Sequence, residues 1–423
     1  MNRCFDILEQ RGFVHQYTDE KLKELLNSDS LSAYVGFDPS ADSLHLGHLV
    51  PAMLLAHLQR HGHRPIMVIG GGTGMIGDPS GRSRERELLT LEQIEHNSRC
   101  IKAQLEKYVS FSGKNAAVMV NNYDWLSKFS MLNWLRDVGK YFTINYMLAK
   151  DSVRMRLEDR EQGISYTEFT YMLLQSYDFY HLREHYDCRL QCGGSDQWGN
   201  ITAGIEFIRK VTGKDAYGLT LPLITTTSGE KFGKSEGNAV FLDPARTSPW
   251  SYYQYWVRAN DADAVHYLNL FTFLPAAEIA GLAEEIRQHP EKREAQKRLA
   301  REATALVHGA EKTAKLERAA EILYNERVTE IDTETLAMVF QDAPVAEIGR
   351  SSLEKGMPLA DFMAENKITA SKGEAKKLLA SGAVYINNLR AAADGRLESA
   401  SQLKKNLILF RKGKKDYWLI RVR

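Results

Sequence analysis

Cysteine is scarce in this chain: four residues in 423, with no Cys-x-x-Cys pair. Cys188 and Cys192 would need a second pair at zinc spacing to hold a metal. None is present, so bystander thiols are expected and no tightly bound, protein-ligated metal. Long apolar runs are missing too. No stretch approaches the roughly 20 residues that span a bilayer, and the N-terminus lacks a basic-then-apolar signal. The expectation is a cytoplasmic, reduced chain with no membrane partner. Net charge is almost absent at +1, but it is unevenly spread. Residues 371–423 hold 13 Lys/Arg against four acids; that local +9, against +1 overall, leaves −8 on the rest. The pattern predicts a basic C-terminal module on a mildly acidic body. A content of 43% apolar and 26% charged residues is that of a globular chain, and the length suggests roughly two to four domains.

The stretch Tyr34-Val-Gly-Phe-Asp-Pro-Ser-Ala-Asp-Ser-Leu-His-Leu-Gly-His48 carries the densest chemistry. Leu31 to Phe37 reads as a buried strand, and Asp38-Pro39 turns the chain. Apolar residues at Leu46, Leu49, Val50, Met53, Leu54 and Leu58 then have helical spacing. His45 and His48 fall on one side of the first turn, and Gly47 between them lets a flat ligand approach the backbone. A helix start with exposed donors suits an anion; two solvated histidines are the plain alternative. Pro65 to Gly70 is a second strand, so strand, helix, strand predicts a βαβ unit and a parallel sheet.

Gly72-Thr-Gly74-Met-Ile-Gly77 matches a dinucleotide fingerprint, but Asp78-Pro79-Ser80-Gly81 interrupts it before a helix can start. The better reading is a glycine-rich floor under a nucleotide, with Arg82, Arg84 and Arg86 beyond it and Asp78 as ligand for an amine. Glu92 to Tyr108 reads as a helix and Ala116 to Asn121 as a strand. The aromatic-rich segment 125–160 suits core or a subunit interface. In the helix from Tyr166 to Tyr180, Tyr171, Gln175 and Asp178 align at i, i+4 and i+7, either a binding stripe or a wet face. Arg189 to Cys192 is a strand ending in Gly193-Gly-Ser-Asp-Gln-Trp-Gly-Asn200, which puts Asp196 and Gln197 at the rim where α/β sheets bind ligands. After the strand Leu219 to Ile224 comes a glycine-rich loop with Lys231-Phe-Gly-Lys234-Ser235. Its lysines are suited to a phosphate chain, or simply form a solvated basic loop. Residues 248–325 read as helical, and 326–352 as an irregular connector. The tail reads as two helices, Leu359 to Glu365 and Ser371 to Ser381, then strands Ala383 to Ile386, Leu407 to Phe410 and Trp418 to Val422. Ser371-Lys-Gly-Glu374 has capping-box form, and Asn387-Asn388 marks a turn.

His45-Leu-Gly-His48 together with Lys231-Phe-Gly-Lys234-Ser235 resembles the two signatures of class I aminoacyl-tRNA synthetases. Tyr34-Val-Gly-Phe-Asp38, the Tyr171/Gln175/Asp178 stripe and Gly193 to Asn200 look like the bacterial tyrosyl-tRNA synthetases, and the tail resembles the αL RNA-binding module of a ribosomal protein. The resemblance implies an α/β, Rossmann-like parallel-sheet catalytic domain (1–225) and a lysine-signature loop and linker (226–247). A helical anticodon-binding domain (248–325), a connector (326–352) and an αL-type α+β domain (353–423) would follow. The implied reaction joins L-tyrosine to ATP, with Mg2+, and passes the tyrosyl group to tRNA(Tyr). Within it, His45, His48, Lys231, Lys234, Ser235, Arg82 and Arg86 act on the triphosphate. Ser40, Gly47 and Asp196 complete the ATP site. Tyr34 and Asp178 hold the phenol; Asp78, Tyr171 and Gln175 hold the ammonium; Gly36, Asp38 and Gln197 line the pocket. The family is homodimeric. Two departures stand out, Val35 where cysteine is common and Pro51 where some members have threonine. A tryptophanyl-type synthetase, a nucleotidyltransferase of the same fold, and an inactive RNA-binding relic remain as alternatives.

Overall fold

The structure is a computed structural model. It describes residues 3–80, 88–150, 153–154, 157, 163–225, 227, 232–235, 238–324, 333–341, 343–403, 406–413 and 416–423. Contacts divide the chain into two compact units, 1–246 with 258–299, and 247–257 with 300–423.

The first unit is built on a six-stranded sheet. Its strands are β1 (Gln16–Tyr17), β2 (Ser32–Phe37), β3 (Arg64–Ile69), β4 (Val118–Asn121), β5 (Cys188–Gly194) and β6 (Tyr217–Leu221). The order is β1-β6-β5-β2-β3-β4. All pairings are parallel except that of β1, a two-residue edge antiparallel to β6. The helices are α1 (Cys4–Gln10), α2 (Lys21–Ser28), α3 (Leu46–Arg60), α4 (Leu91–Leu105), α5 (Tyr123–Leu126), α6 (Met131–Asp137), α7 (Ile144–Leu148), α8 (Tyr166–Tyr186) and α9 (Trp198–Thr212). Central strand β3 is buried from Pro65 to Ile69, as a parallel sheet covered on both faces requires. The Rossmann-like α/β expectation is met.

Order decides where a ligand can sit. The chain runs from β2 outward through β3 and β4, then returns to build β5 and β6 on the other side. The direction reverses between β2 and β5, and the crevice at the carboxyl ends of those strands is the natural ligand site. Phe37-Asp38 and Gly193-Gly194 stand at that rim. The fingerprint-like segment after β3 makes only a 3-10 turn, Thr73–Met75, and the next described helix is α4.

Between 248 and 324 the described residues form helices and no strand: α10 (Pro249–Val257), α11 (Asp261–Phe271), α12 (Ala276–Gln288), α13 (Glu294–His308) and α14 (Ala310–Tyr324), with a 3-10 turn at Pro290–Lys292. The end of the second unit packs a five-stranded sheet on helices Leu359–Glu365 and Lys372–Ala380, around Phe362, Met363, Leu379, Ile408, Phe410 and Ile420. Ser371 caps the second helix, accepting from Glu374 N at 3.2 Å, and the Glu374 carboxylate accepts from Ala370 N at 2.8 Å. Asn387 and Asn388 take φ of 49° and 66°, the left-handed pair that a tight hairpin requires. The connector read as irregular contains strand Val345–Ile348, paired parallel to Asp416–Val422. Four residues alternating exposed and buried are too few to register as a period, and the partner lies some 70 residues away. No helix of the described residues is long and apolar enough to cross a membrane.

Candidate active site

At the amino end of α3, His45 is the N-cap. Its Nδ1 accepts from Gly47 N at 3.0 Å, while His45 N donates to Nδ1 of His48 at 3.2 Å. The rings lie 3.9 Å apart. With both Nδ1 atoms accepting, each neutral ring keeps its proton on Nε2, which turns a donor away from the backbone. A Cβ on Gly47 would come within 2.8 Å of His45 Cε1, so only glycine leaves room.

The lysine segment comes back to this same helix start. Leu46 N donates to Val240 O at 3.0 Å, Leu242 N to Leu44 O at 2.8 Å, and Val240 N to Gly233 O at 2.8 Å. Gly233 has φ +77° and sits so close that a Cβ there would be 3.2 Å from Leu46 Cβ. The two signature stretches, nearly 200 residues apart, are therefore stitched together by backbone hydrogen bonds. The backbone of Lys234–Ser235 forms a short strand with Asn238–Ala239. Lys231, Arg82 and Arg86 lie outside the described residues, as do the side chains of Lys234 and Ser235.

Across the crevice, α8 presents the polar stripe. Asp178 is buried, and its carboxylate accepts from Trp125 Nε1 at 2.7 Å and Asn122 Nδ2 at 2.9 Å. Burial pushes its pKa up to about 7, the two donors pull it down, and Asp38 adds to the rise. Tyr34, 2% exposed, packs on Phe179 with ring centroids 5.4 Å apart, and its Oη has no hydrogen-bond partner among the described residues. Burial, and then the nearby Asp178 charge, raise that phenol's pKa well above its usual value.

Polar groups continue up the pocket. Asp38 accepts from Thr73 Oγ1 at 2.9 Å and Tyr171 Oη at 3.1 Å. Asp78 accepts from Gln197 Nε2 at 2.6 Å and Ser80 N at 2.9 Å. Asn200 Nδ2 bridges Gln175 Oε1 at 3.0 Å and Gln197 Oε1 at 3.2 Å. Gly70 lets Asp38 approach; a Cβ there would fall 2.1 Å from Asp38 Oδ1. Gly36 is exposed, with nothing within 4 Å of an added Cβ, so it borders open space. Ser40 and Asp196 are exposed at the rim. Asn122, Trp125, Thr73 and Asn200 were not singled out in the sequence; they follow β3, β4 and β5, and their positions past the strand ends were the available signal. Among the described residues no group of three or more His, Cys, Asp or Glu could hold a metal ion.

This arrangement fits what the chain is similar to. The profile of the class I tRNA synthetases (W and Y) matches residues 26–325. That of the tyrosine--tRNA ligase SYY-like C-terminal domain matches 335–420. A tyrosine--tRNA ligase of Roseiflexus castenholzii is 49% identical over 425 residues, covering 100% of both chains, and one of Bacteroides fragilis is 48% identical over 98% of each. A C-terminally truncated mitochondrial tyrosyl-tRNA synthetase of Aspergillus nidulans superposes with a TM-score of 0.70 at 32% identity, covering 76% of this chain and 94% of that one. The chain belongs to the class I tRNA synthetases, in the tyrosine--tRNA ligase family.

Proposed function

We propose that this protein activates L-tyrosine with ATP to tyrosyl-adenylate and pyrophosphate, then transfers the tyrosyl group to the 3′-terminal adenosine of tRNA(Tyr). The observation that carries the choice of amino acid is the pair at the base of the pocket. A buried tyrosine hydroxyl without a partner among the described residues stands near a buried carboxylate whose orientation is fixed by two donors. A substrate phenol can donate to a remaining lone pair of Asp178 and pair with Tyr34 Oη. An indole offers one N–H and no oxygen, so it satisfies at most one of them.

Adenylate formation needs no enzyme nucleophile, because the substrate carboxylate attacks the α-phosphorus. Positioning and cancellation of charge on the phosphate oxygens supply the acceleration. His45 and His48 are read as Nε2–H donors to the triphosphate with Lys234 and Ser235, a reading supported by the backbone hydrogen bonds that tie the lysine segment to the start of α3. By the family resemblance, Lys231, Arg82 and Arg86 act on the same triphosphate. Ser40, Gly47 and Asp196 complete the nucleotide site. Asp78, Tyr171 and Gln175 form the ammonium end, with Gly36, Asp38 and Gln197 bordering it. ATP would enter with Mg2+ on its phosphates.

The helices of 248–325 and the basic module of 353–423 are read as contacts to the anticodon stem and to RNA backbone, binding that weakens with salt. Exposed Met131 (72%), Leu132 (79%), Leu135 (44%) and Ile144 (59%) on α6 and α7 support a homodimer face, which sedimentation of Leu132→Asp tests. The site of action is the cytoplasm. The deciding experiment is exchange of pyrophosphate into ATP with each of the twenty amino acids. Exchange is expected with tyrosine; exchange with tryptophan alone transfers the reading to the tryptophanyl relatives, and none at all favours an RNA-binding relic.

A further inference from the structure

The segment bearing Lys234 is fastened at two points to one face of α11. Upstream of it, Thr227 N donates to Asp263 Oδ1 at 3.1 Å and Thr227 Oγ1 to Oδ2 at 3.2 Å. Closer to the lysine, the Phe232 ring stacks on Phe271, with centroids 5.3 Å apart and planes 13° apart, and lies 5.2 Å from Tyr267. Asp263, Tyr267 and Phe271 are spaced i, i+4, i+8, so they form a single stripe. All three are buried, at 5%, 2% and 0% exposure.

The other end of α11 is tied to the helix that carries the histidines. Phe273, just past α11, packs on His57 of α3 at 4.9 Å and under the Arg60 guanidinium at 3.8 Å. Arg11 gathers the freed carbonyls of that helix end, donating to Asn269 O at 2.9 Å and Thr272 O at 3.0 Å. One helix therefore braces both the histidine-bearing helix and the lysine segment, while Gly233 is pressed against the tip of α3.

We propose that Asp263 and the Tyr267/Phe271 ring pair are positioning residues for the lysine segment, holding it at the helix tip so that its charge is in place as the triphosphate reacts. They touch neither ATP nor tyrosine and act through Lys234. A carboxylate at the third position of a helix would stabilise its amino end wherever it sat. What a helix start alone does not call for is that its carboxylate, together with a two-ring slot, holds the segment that carries Lys234.

The inference rests on the activation reaction proposed above, and a double-mutant cycle tests it on the full-length chain. Asp263→Ala is expected to slow tyrosine-dependent pyrophosphate exchange about tenfold, the loss of one to two hydrogen bonds to the segment. Tyrosine affinity should stay within twofold, because the phenol pocket is untouched. Asp263→Asn, whose amide oxygen still accepts, should recover most of the rate, and Phe232→Ala should reproduce the loss without altering α11. In a Lys234→Ala background, Asp263→Ala should add less than twofold. A full tenfold loss in that background, or an equal loss of tyrosine affinity, would show a general packing role and overturn the proposal. Absence of exchange in the unmutated protein would instead remove the activation reading itself.

Discussion

Replacing Tyr34 by phenylalanine should move stability and binding in opposite directions. In the protein by itself the Tyr34 hydroxyl is buried and unpartnered among the described residues. A buried hydroxyl without a bond costs about 1–3 kcal/mol, so removing it should leave the fold unchanged or more stable by up to that amount. The ring keeps its packing on Phe179 either way. With tyrosine bound the hydroxyl gains a partner, a neutral bond worth about 0.5–1.5 kcal/mol, so tyrosine should bind roughly two- to twelvefold more weakly to the variant. Phenylalanine has no hydroxyl to lose, so its kcat/KM should stay level and the tyrosine-to-phenylalanine preference should shrink by the same factor. Urea unfolding reads the first quantity, and pyrophosphate exchange with both amino acids reads the second. A variant less stable by more than about 1 kcal/mol would mean the hydroxyl is already satisfied in the free protein. An unchanged preference would remove Tyr34 from the phenol site.

Other outcomes follow from the same geometry. Burial raises the Asp178 pKa from 3.8 to about 7, so between those values the folded form binds a proton that the unfolded form releases. Stability from this group is therefore greatest below about pH 4, falls as pH rises through about 7 and is level above. Tyrosine affinity should climb from pH 6 to 8 as the carboxylate ionises to accept the phenol; an equally steep climb in Asp178→Asn, followed by equilibrium binding, would contradict that assignment. Lys234→Ala should slow adenylate formation by tenfold or more with tyrosine affinity within twofold, and stopped-flow measurement showing lost tyrosine binding instead would contradict a phosphate role. Removing residues 333–423, a cut that spares no part of the five-stranded sheet, should preserve pyrophosphate exchange and abolish tRNA charging; equal charging by both forms would contradict the RNA role of the tail.

The site divides cleanly into what a local pattern can encode and what it cannot. His45 with His48, and Tyr171 with Gln175 and Asp178, were legible because helical geometry alone puts such residues on one face. The rim positions of Asp196 and Gln197 were legible because loops beyond the carboxyl ends of parallel strands are where α/β sheets bind ligands. Phe232 against Phe271, and Thr227 against Asp263, have no such trace, since their partners are 36 to 39 residues apart with no period linking them. Asn122 and Trp125 are an intermediate case. Nothing about Asn121-Asn122 after a strand distinguishes a ligand-side asparagine from an ordinary strand end. Yet once Asp178 is placed beside a buried stripe, its charge must find donors, because a carboxylate buried without them costs several kcal/mol. Residues just past a neighbouring strand's carboxyl end are among the candidates, since that is where loops of a parallel sheet gather. Among the residues following β4, an amide and an indole at Asn122 and Trp125 supply N–H groups without adding a charge. Demanding partners for each buried charge therefore extends a sequence reading past periodicity, from the residue that does the recognising to those that hold it in place.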